Sequence, residues 1–295
     1  MNFRFKIIRI ISICILLSAI SYAKGKGTSA GNFLKLGVDT RAIALGGAYT
    51  SIADGASAIY WNPAGLDYLG EYREVSIMYT IWVHDINYQY ILYSHPLELG
   101  TMGMGIQRVG IGDIIETDEY GNELGTYEPG NTVLMMSWGL QNEDLVSLGI
   151  TCKYIDAQIK NKAHTFTFDI GLRKYLFNDK VYAGLSAKNL IGGLKYHEIE
   201  DALERIYTLG LGYDISTDKL LSCDVQYDDS KEIGFGLGLE YMIYDMLKLR
   251  TGYTDKYKDT GTNGLSVGIG LNIRGFTVDY AYLPLGVLED SHFIS

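Results

Sequence analysis

The sequence predicts an all-β protein, a transmembrane antiparallel β-barrel of about fourteen strands preceded by a non-strand N-terminal plug or hatch. Three observations predict it. Apolar residues alternate with small polar ones in segment after segment from about residue 72 onward. The connections between those segments sort into a short set and a long set. An export signal opens the chain, and no later stretch reaches 18 uninterrupted apolar residues, so no transmembrane helix is expected after it.

Composition narrows the field first. The chain has 295 residues, 47% of them hydrophobic, and 20% charged, which excludes the low-hydrophobicity, high-charge profile of disorder. Its 35 Gly follow no strict period, so a collagen-like helix is excluded as well. A formal net charge of −10 argues against a nucleic-acid partner held through phosphates. Abundant Gly and Tyr with 4 Pro, at a mean hydropathy near zero, fit many short strands facing lipid better than a helical enzyme.

Residues 1–23 read as a signal peptide. Arg4, Lys6 and Arg9 form a basic start, Ile10 to Ile20 an apolar stretch, and Ser21-Tyr22-Ala23 places small residues at the −3 and −1 positions of a cleavage site. The apolar stretch is shorter than the roughly 20 residues a spanning helix needs, and no lipobox precedes Cys14. Cleavage leaves Cys152 and Cys223, too few for a disulfide framework. An exported chain without a helical anchor is soluble or a closed barrel.

The alternation decides between those two. Leu265, Val267, Ile269, Leu271 and Ile273 share one side of a strand, with Gly264, Ser266, Gly268, Gly270 and Asn272 on the other. The same split sets Phe166, Phe168, Ile170 and Leu172 against Thr167, Asp169, Gly171 and Arg173. It recurs in 233–241 and in 276–282. The polar face of a soluble sandwich is usually rich in Lys, Glu and Thr. Here it is mostly Gly, Ser, Thr and Asn, which suits a barrel interior filled by its own chain. Aromatics near strand ends, such as Tyr213, Tyr241 and Tyr280, suit an interfacial girdle in a lipid bilayer.

Strands are expected near 72–82, 85–95, 99–109, 131–140, 144–158, 164–176, 180–190, 205–214, 218–228, 232–242, 245–254, 263–273 and 275–284, with a last one from Ser291. Short connections fall around 97–98, 142–143, 178–179, 216–217, 244 and 274. Every long one (110–130, 191–204, 255–262, 285–290) falls in the alternate set. Short periplasmic turns, long external loops and an even strand number are the habits of outer-membrane barrels, and they put both termini in the periplasm. The barrel is assigned to 72–295. The closing strand at Ser291-His292-Phe293-Ile294-Ser295 looks clipped, because such strands usually end on an aromatic residue.

Residues 24–71 do not alternate. Gly46-Gly47 permits a tight bend, and Asn62-Pro63 stops a helix and starts a turn. A plug or hatch in or under the periplasmic mouth is the economical use of this segment. The stretch also resembles the opening of the PorV/PorQ family, within the superfamily of the long-chain fatty-acid transporter FadL. The resemblance is carried by Leu36-Gly37, Arg41-Ala42, Leu45-Gly46-Gly47-Ala48, Asp54, and Trp61-Asn62-Pro63-Ala64-Gly65-Leu66. The PorV likeness implies a non-enzymatic outer-membrane barrel associated with type IX secretion, which binds exported cargo and shuttles it to secretion-system components. The FadL likeness implies passive uptake of hydrophobic small molecules such as fatty acids past an N-terminal hatch.

No catalytic, metal or cofactor site is expected. Gly264-Leu265-Ser266-Val267-Gly268 matches a serine-hydrolase pattern, but strict alternation runs through it where that motif needs a sharp strand-to-helix turn. Gly234, Gly236 and Gly238 are strand glycines, since no helix follows to make a phosphate loop. His84, His95, His164, His197 and His292 have no zinc spacing. The acidic cluster Asp113, Glu116, Asp118, Glu123 and Glu128 lacks the ligand spacing of a calcium loop and reads as a hairpin tip turning at Gly121-Asn122. Inward parity places Lys153, Asp169, Arg173, Asp224, Lys248 and Arg250 inside the barrel, where charges must pair or be hydrated. They hold the hatch or line a path, and the sequence leaves that choice open.

Overall fold

The computed structural model describes residues 30–69, 72–81, 86–140, 146–177, 180–196, 198, 200–230, 232–256, 264–284 and 290–295. The expected signal peptide (1–23), residues 24–29, His84, His197 and most of the 255–262 and 285–290 loops therefore lie outside the described residues.

Alternation converts directly into a closed antiparallel wall. Its strands are β1 (Glu74–Ile81), β2 (Asn87–Leu97), β3 (Gly100–Gly110), β6 (Gly130–Leu140), β7 (Ser147–Gln158), β8 (Lys162–Leu176) and β9 (Val181–Lys188). They continue as β12 (Ile206–Ser216), β13 (Lys219–Asp228), β14 (Ile233–Ile243), β15 (Leu247–Thr254), β16 (Leu265–Ile273), β17 (Phe276–Pro284) and β18 (Asp290–Ile294). Each pairs with its sequence neighbour in the wall, and β18 meets β1 at Tyr79↔Ile294, which closes the ring. These are the fourteen expected strands, with ends within three residues of their predicted positions. Two small hairpins stand apart from the wall: β4 (Ile114–Thr117) with β5 (Glu123–Tyr127), and β10 (Gly193–Lys195) with β11 (Glu200–Ala202). Both sit in the long connections.

The two faces are chemically distinct. Phe166, Ile170, Leu185, Leu209, Val267 and Leu271 are exposed on the outside, whereas their neighbours Thr167, Asp169, Ser186, Thr208 and Ser266 are buried inside. An apolar exterior over a satisfied backbone is what a bilayer requires of a spanning sheet. Cys152 and Cys223 lie on separate strands, β7 and β13.

The inner face departs from the expectation of small, polar residues in one sector. Toward the loop ends of β3, β6 and β7, the buried inward residues are Val109, Val133, Met135, Ile155 and Ala157. Leu194 and Leu203 of the 191–204 connection join the same buried cluster, with Phe33 and Leu36 packed on it. Those large side chains need an apolar partner, and the N-terminal segment supplies it.

That segment runs as short turns: Asn32–Lys35, Thr40–Ala44, Gly55–Ser57, Ala58–Trp61 and Pro63–Leu69. Short turns leave backbone N–H and C=O groups free for the wall to bind, whereas one long helix would bond them internally. The segment is not confined to the short-turn end of the barrel, where it is expected to sit, but reaches the long-loop end as well. Ala30 bridges Leu203, and Lys35 pairs with Glu204 at 2.6 Å and Asp228 at 3.4 Å, all at the long-loop end. Asp54 and Gly55 instead lie near the short-turn end, where Gly55 abuts the Glu74 carboxylate at the start of β1.

Candidate functional site

The lumen is where the chemistry-bearing residues converge, and glycine makes the room. A Cβ on Gly184 would come 2.6 Å from Thr50 O, on Gly210 2.8 Å from Ser51 N, and on Gly236 2.8 Å from Gly46 O. One on Gly171 would meet Pro63 Cδ at 2.9 Å, and one on Gly103 would meet Ile59 Cγ1 at 2.6 Å. Backbone therefore lies on backbone around much of the wall. Gly46 and Gly47 turn the chain at φ 65° and 74°, a left-handed pair that residues with side chains resist.

Polar groups of the wall then fasten this segment. The Asp224 carboxylate accepts from Tyr49 N at 3.1 Å and Thr50 N at 2.8 Å. Arg173 donates to Ala53 O at 2.6 Å, Ser266 to Ala44 O at 3.1 Å, and Thr151 to Ile59 O at 3.0 Å. Asn62 donates through Nδ2 to Thr50 O at 2.8 Å and to Leu172 O of β8 at 3.1 Å. Its own Oδ1 accepts from Ala64 N, and its carbonyl from Gly65 N, so the Asn62-Pro63-Ala64 turn is tied within itself and to the wall. Trp61 Nε1 donates to Val38 O at 2.8 Å, and Gly37 packs on the Trp61 ring. The Lys188 ammonium of β9 sits 4.2 Å from the Tyr60 ring centroid and 4.9 Å from that of Trp61, within cation–π range.

Arg41 is the centre of the ionic network. Its Nε and Nη2 grip Glu240 of β14 at 2.9 and 3.0 Å, and Nη1 donates to both oxygens of Asp54 at 3.1 Å. Arg250 of β15 donates to the same Glu240 at 2.6 Å and to Asp279 of β17 at 2.5 Å. Burial works against the Arg41 charge, yet Glu240, Tyr49 and Asp54 more than offset it and hold the guanidinium above its ordinary range. Asp39 caps the Thr40–Ala44 turn by accepting from Arg41 N at 2.8 Å. Burial, reinforced by the Asp279 charge, pushes the Asp39 carboxyl up to about 6.

The predicted residues fall into three groups. Gly37, Arg41, Gly46, Gly47, Asp54, Trp61, Asn62, Pro63, Ala64 and Gly65 lie in the lumenal segment, and Arg173, Asp224 and Arg250 bind it directly or through Glu240. Lys153 and Asp169 instead pair with each other at 2.5 Å and share Asn189, away from the Arg41 network. Lys248 faces a cavity of about 210 Å³ at the short-turn end, walled also by Arg41, Asp54, Arg173 and Glu240. That volume is below the roughly 300 Å³ at which small-molecule sites begin. Glu240, Asp279, Lys188 and the Lys35 pairs were not singled out from the sequence. Inward parity with Gly236 and Gly238 marks Glu240; nothing local marks its partner Arg41, 199 residues away. Among the described residues, no group of His, Cys, Asp and Glu is arranged to hold a metal ion. Ser266 lies within β16, its hydroxyl committed to Ala44 O.

Comparison with known proteins agrees with this architecture. Residues 83–284 match the family described as type IX secretion system membrane protein PorP/SprF. No curated protein sequence matches the chain significantly. Among solved structures, a TodX monoaromatic hydrocarbon channel with its S2 and S3 segments deleted superposes with a TM-score of 0.63 at 14% identity, over 88% of this chain and 97% of that one. The CymD monoaromatic hydrocarbon channel gives 0.56 at 12% identity, over 88% and 95%. A Pseudomonas aeruginosa FadL homologue gives 0.51 at 12% identity, over 93% and 98%. At such identities the likeness is one of fold.

Proposed function

The chain belongs to the PorP/SprF family of type IX secretion system membrane proteins, and from that premise we propose that this outer-membrane barrel is a non-enzymatic carrier that binds exported cargo proteins and passes them to secretion-system components. The observation that carries the reading is the filled lumen: many wall glycines, together with Arg173, Asp224, Glu240 and Arg250, hold residues 30–66 in place. A lumen so occupied is poorly suited to free diffusion, which leaves recognition to the external loops. The finer likeness to PorV/PorQ rests on the Leu36–Leu66 motifs, which lie outside the 83–284 match, and it is part of this proposal.

A second reading, passive transport of hydrophobic small molecules, is favoured by one specific feature. The loop-end sector lined by Val109, Val133, Met135 and Ile155 is apolar and is capped by Phe33 and Leu36. The two readings part on which element matters. Exchange of loops 110–130 and 191–204 should abolish co-purification of cargo while leaving uptake of an apolar fluorescent probe unchanged. Deletion of residues 24–61, or Asn62→Ala, should raise probe permeability without abolishing cargo binding. Loop variants that retain cargo, beside an intact barrel that imports fatty acid selectively, would overturn the carrier reading.

A further inference from the structure

The β4–β5 ribbon, in the connection between β3 and β6, is exposed along most of its length. Among the described residues each of its strands pairs only with the other, so each keeps one edge without a strand neighbour there. Two-stranded ribbons are marginal unless something covers a face. Here Glu116 faces back toward Lys160 of the neighbouring β7–β8 tip, to which it pairs at 2.5 Å. The opposite face leaves Ile115 53% and Leu124 63% exposed, and Tyr120 at the tip is 82% exposed. Lipid does not account for this apolar surface, because the ribbon is not part of the wall, whose strands stop at Gly110 and resume at Gly130, and Glu116 ties it to the β7–β8 tip.

Charge selects the occupant. Residues 111–129 carry six carboxylates and no Lys or Arg. Anionic lipid headgroups would be repelled by that field, and so would a second copy of the same ribbon. We propose that the β4–β5 ribbon is a docking arm for a cationic, extended segment of an extracellular protein, which adds as a third strand. Backbone hydrogen bonds at a free edge would supply affinity, Ile115 and Leu124 would take its apolar side chains, and the carboxylates would select alternating Lys or Arg. This deepens the carrier reading, on which it rests, by giving the chemistry of the partner.

The test uses the full-length protein in lipid nanodiscs and three octapeptide probes: alternating Lys-Val, alternating Glu-Val, and alternating Lys-Pro. The Lys-Pro peptide has the charge of the first but lacks half the backbone donors needed for strand addition. The Lys-Val peptide should bind roughly tenfold more tightly than Lys-Pro, weaken with salt, and leave Glu-Val unbound. Ile115→Thr/Leu124→Thr and, separately, Glu119→Gln/Glu123→Gln should each weaken Lys-Val binding about tenfold, since both pairs are exposed and cost the barrel little. Equal binding of Lys-Val and Lys-Pro would reduce the ribbon to a charged loop and overturn the proposal. Unchanged binding in both ribbon variants would do the same, as would a dimer, broken by Ile115→Thr/Leu124→Thr, without peptide binding. Should the peptide fail while loop exchange still abolishes cargo association, the carrier reading survives and the ribbon mechanism alone falls.

Discussion

Glu240 is the point at which the lumenal segment is most exposed to a single change. It accepts from Arg41 twice, at 2.9 and 3.0 Å, and from Arg250 at 2.6 Å, and it is 7% exposed. Glu240→Ala leaves the buried Arg250 guanidinium and the largely buried Arg41 guanidinium short of a counter-charge. Breaking a buried ion pair by removing one partner costs about 3–5 kcal/mol. Arg41 retains Asp54, and Arg250 retains Asp279. The lower end, about 3 kcal/mol, therefore applies, a factor of about 160 in the docking equilibrium of the segment. The assay is a double-mutant cycle with Arg41→Ala, read by urea unfolding in detergent and by single-channel conductance in planar bilayers. Either single variant should lower the unfolding midpoint and introduce open bursts, and the double variant should cost less than the sum of the two by at least ~1 kcal/mol. Additive losses, or a silent conductance trace in Glu240→Ala, would show that Arg41 and Glu240 do not act as one latch.

Further outcomes follow from the same geometry. Gly210→Ala should destabilise by about 1–3 kcal/mol through overpacking on Ser51, while Gly234→Ala, whose Cβ would meet its nearest neighbour at 3.7 Å, should stay within about 0.5 kcal/mol. Thermal melts of the two variants check it. Asp39 carries a folded-state pKa raised to about 6 from an ordinary 3.8, so the folded protein binds the proton more tightly than the unfolded chain. Its contribution to stability is thus present below pH 4 and lost as the pH rises through 6. Asp39→Asn keeps an acceptor for Arg41 N, so its melting temperature should overtake wild type between pH 5 and pH 7. Ile170→Arg, on the outer face near the middle of β8, should cost about 2–4 kcal/mol in lipid, whereas a soluble sheet would tolerate it. Glutamate-specific protease added to intact cells should cut first within 111–129, ahead of 191–204, where Leu194 and Leu203 are buried.

The barrel was legible because its signals are local. Side-chain parity at 265–273 or 166–173 depends only on the two-residue period of a strand, and loop sorting depends only on where that period breaks. Parity also marked Asp224, Arg173 and Arg250 as inward. The sequence by itself therefore determined the strands, their two faces and the character of residues 30–69 as something other than wall. Tertiary structure alone decided what the inward groups meet. The Arg41–Glu240 contact joins positions 199 apart, and the parallel bridge of Ala30 to Leu203 carries the segment to the far end of the lumen. Period-2 reasoning does not reach such pairs, because ring closure sets them: the curvature of the wall brings β8, β13, β14 and β17 around one short chain. Nor did it foresee the apolar sector at Val133 and Ile155, since large inward residues are favourable only once Phe33 and Leu36 are there to cover them.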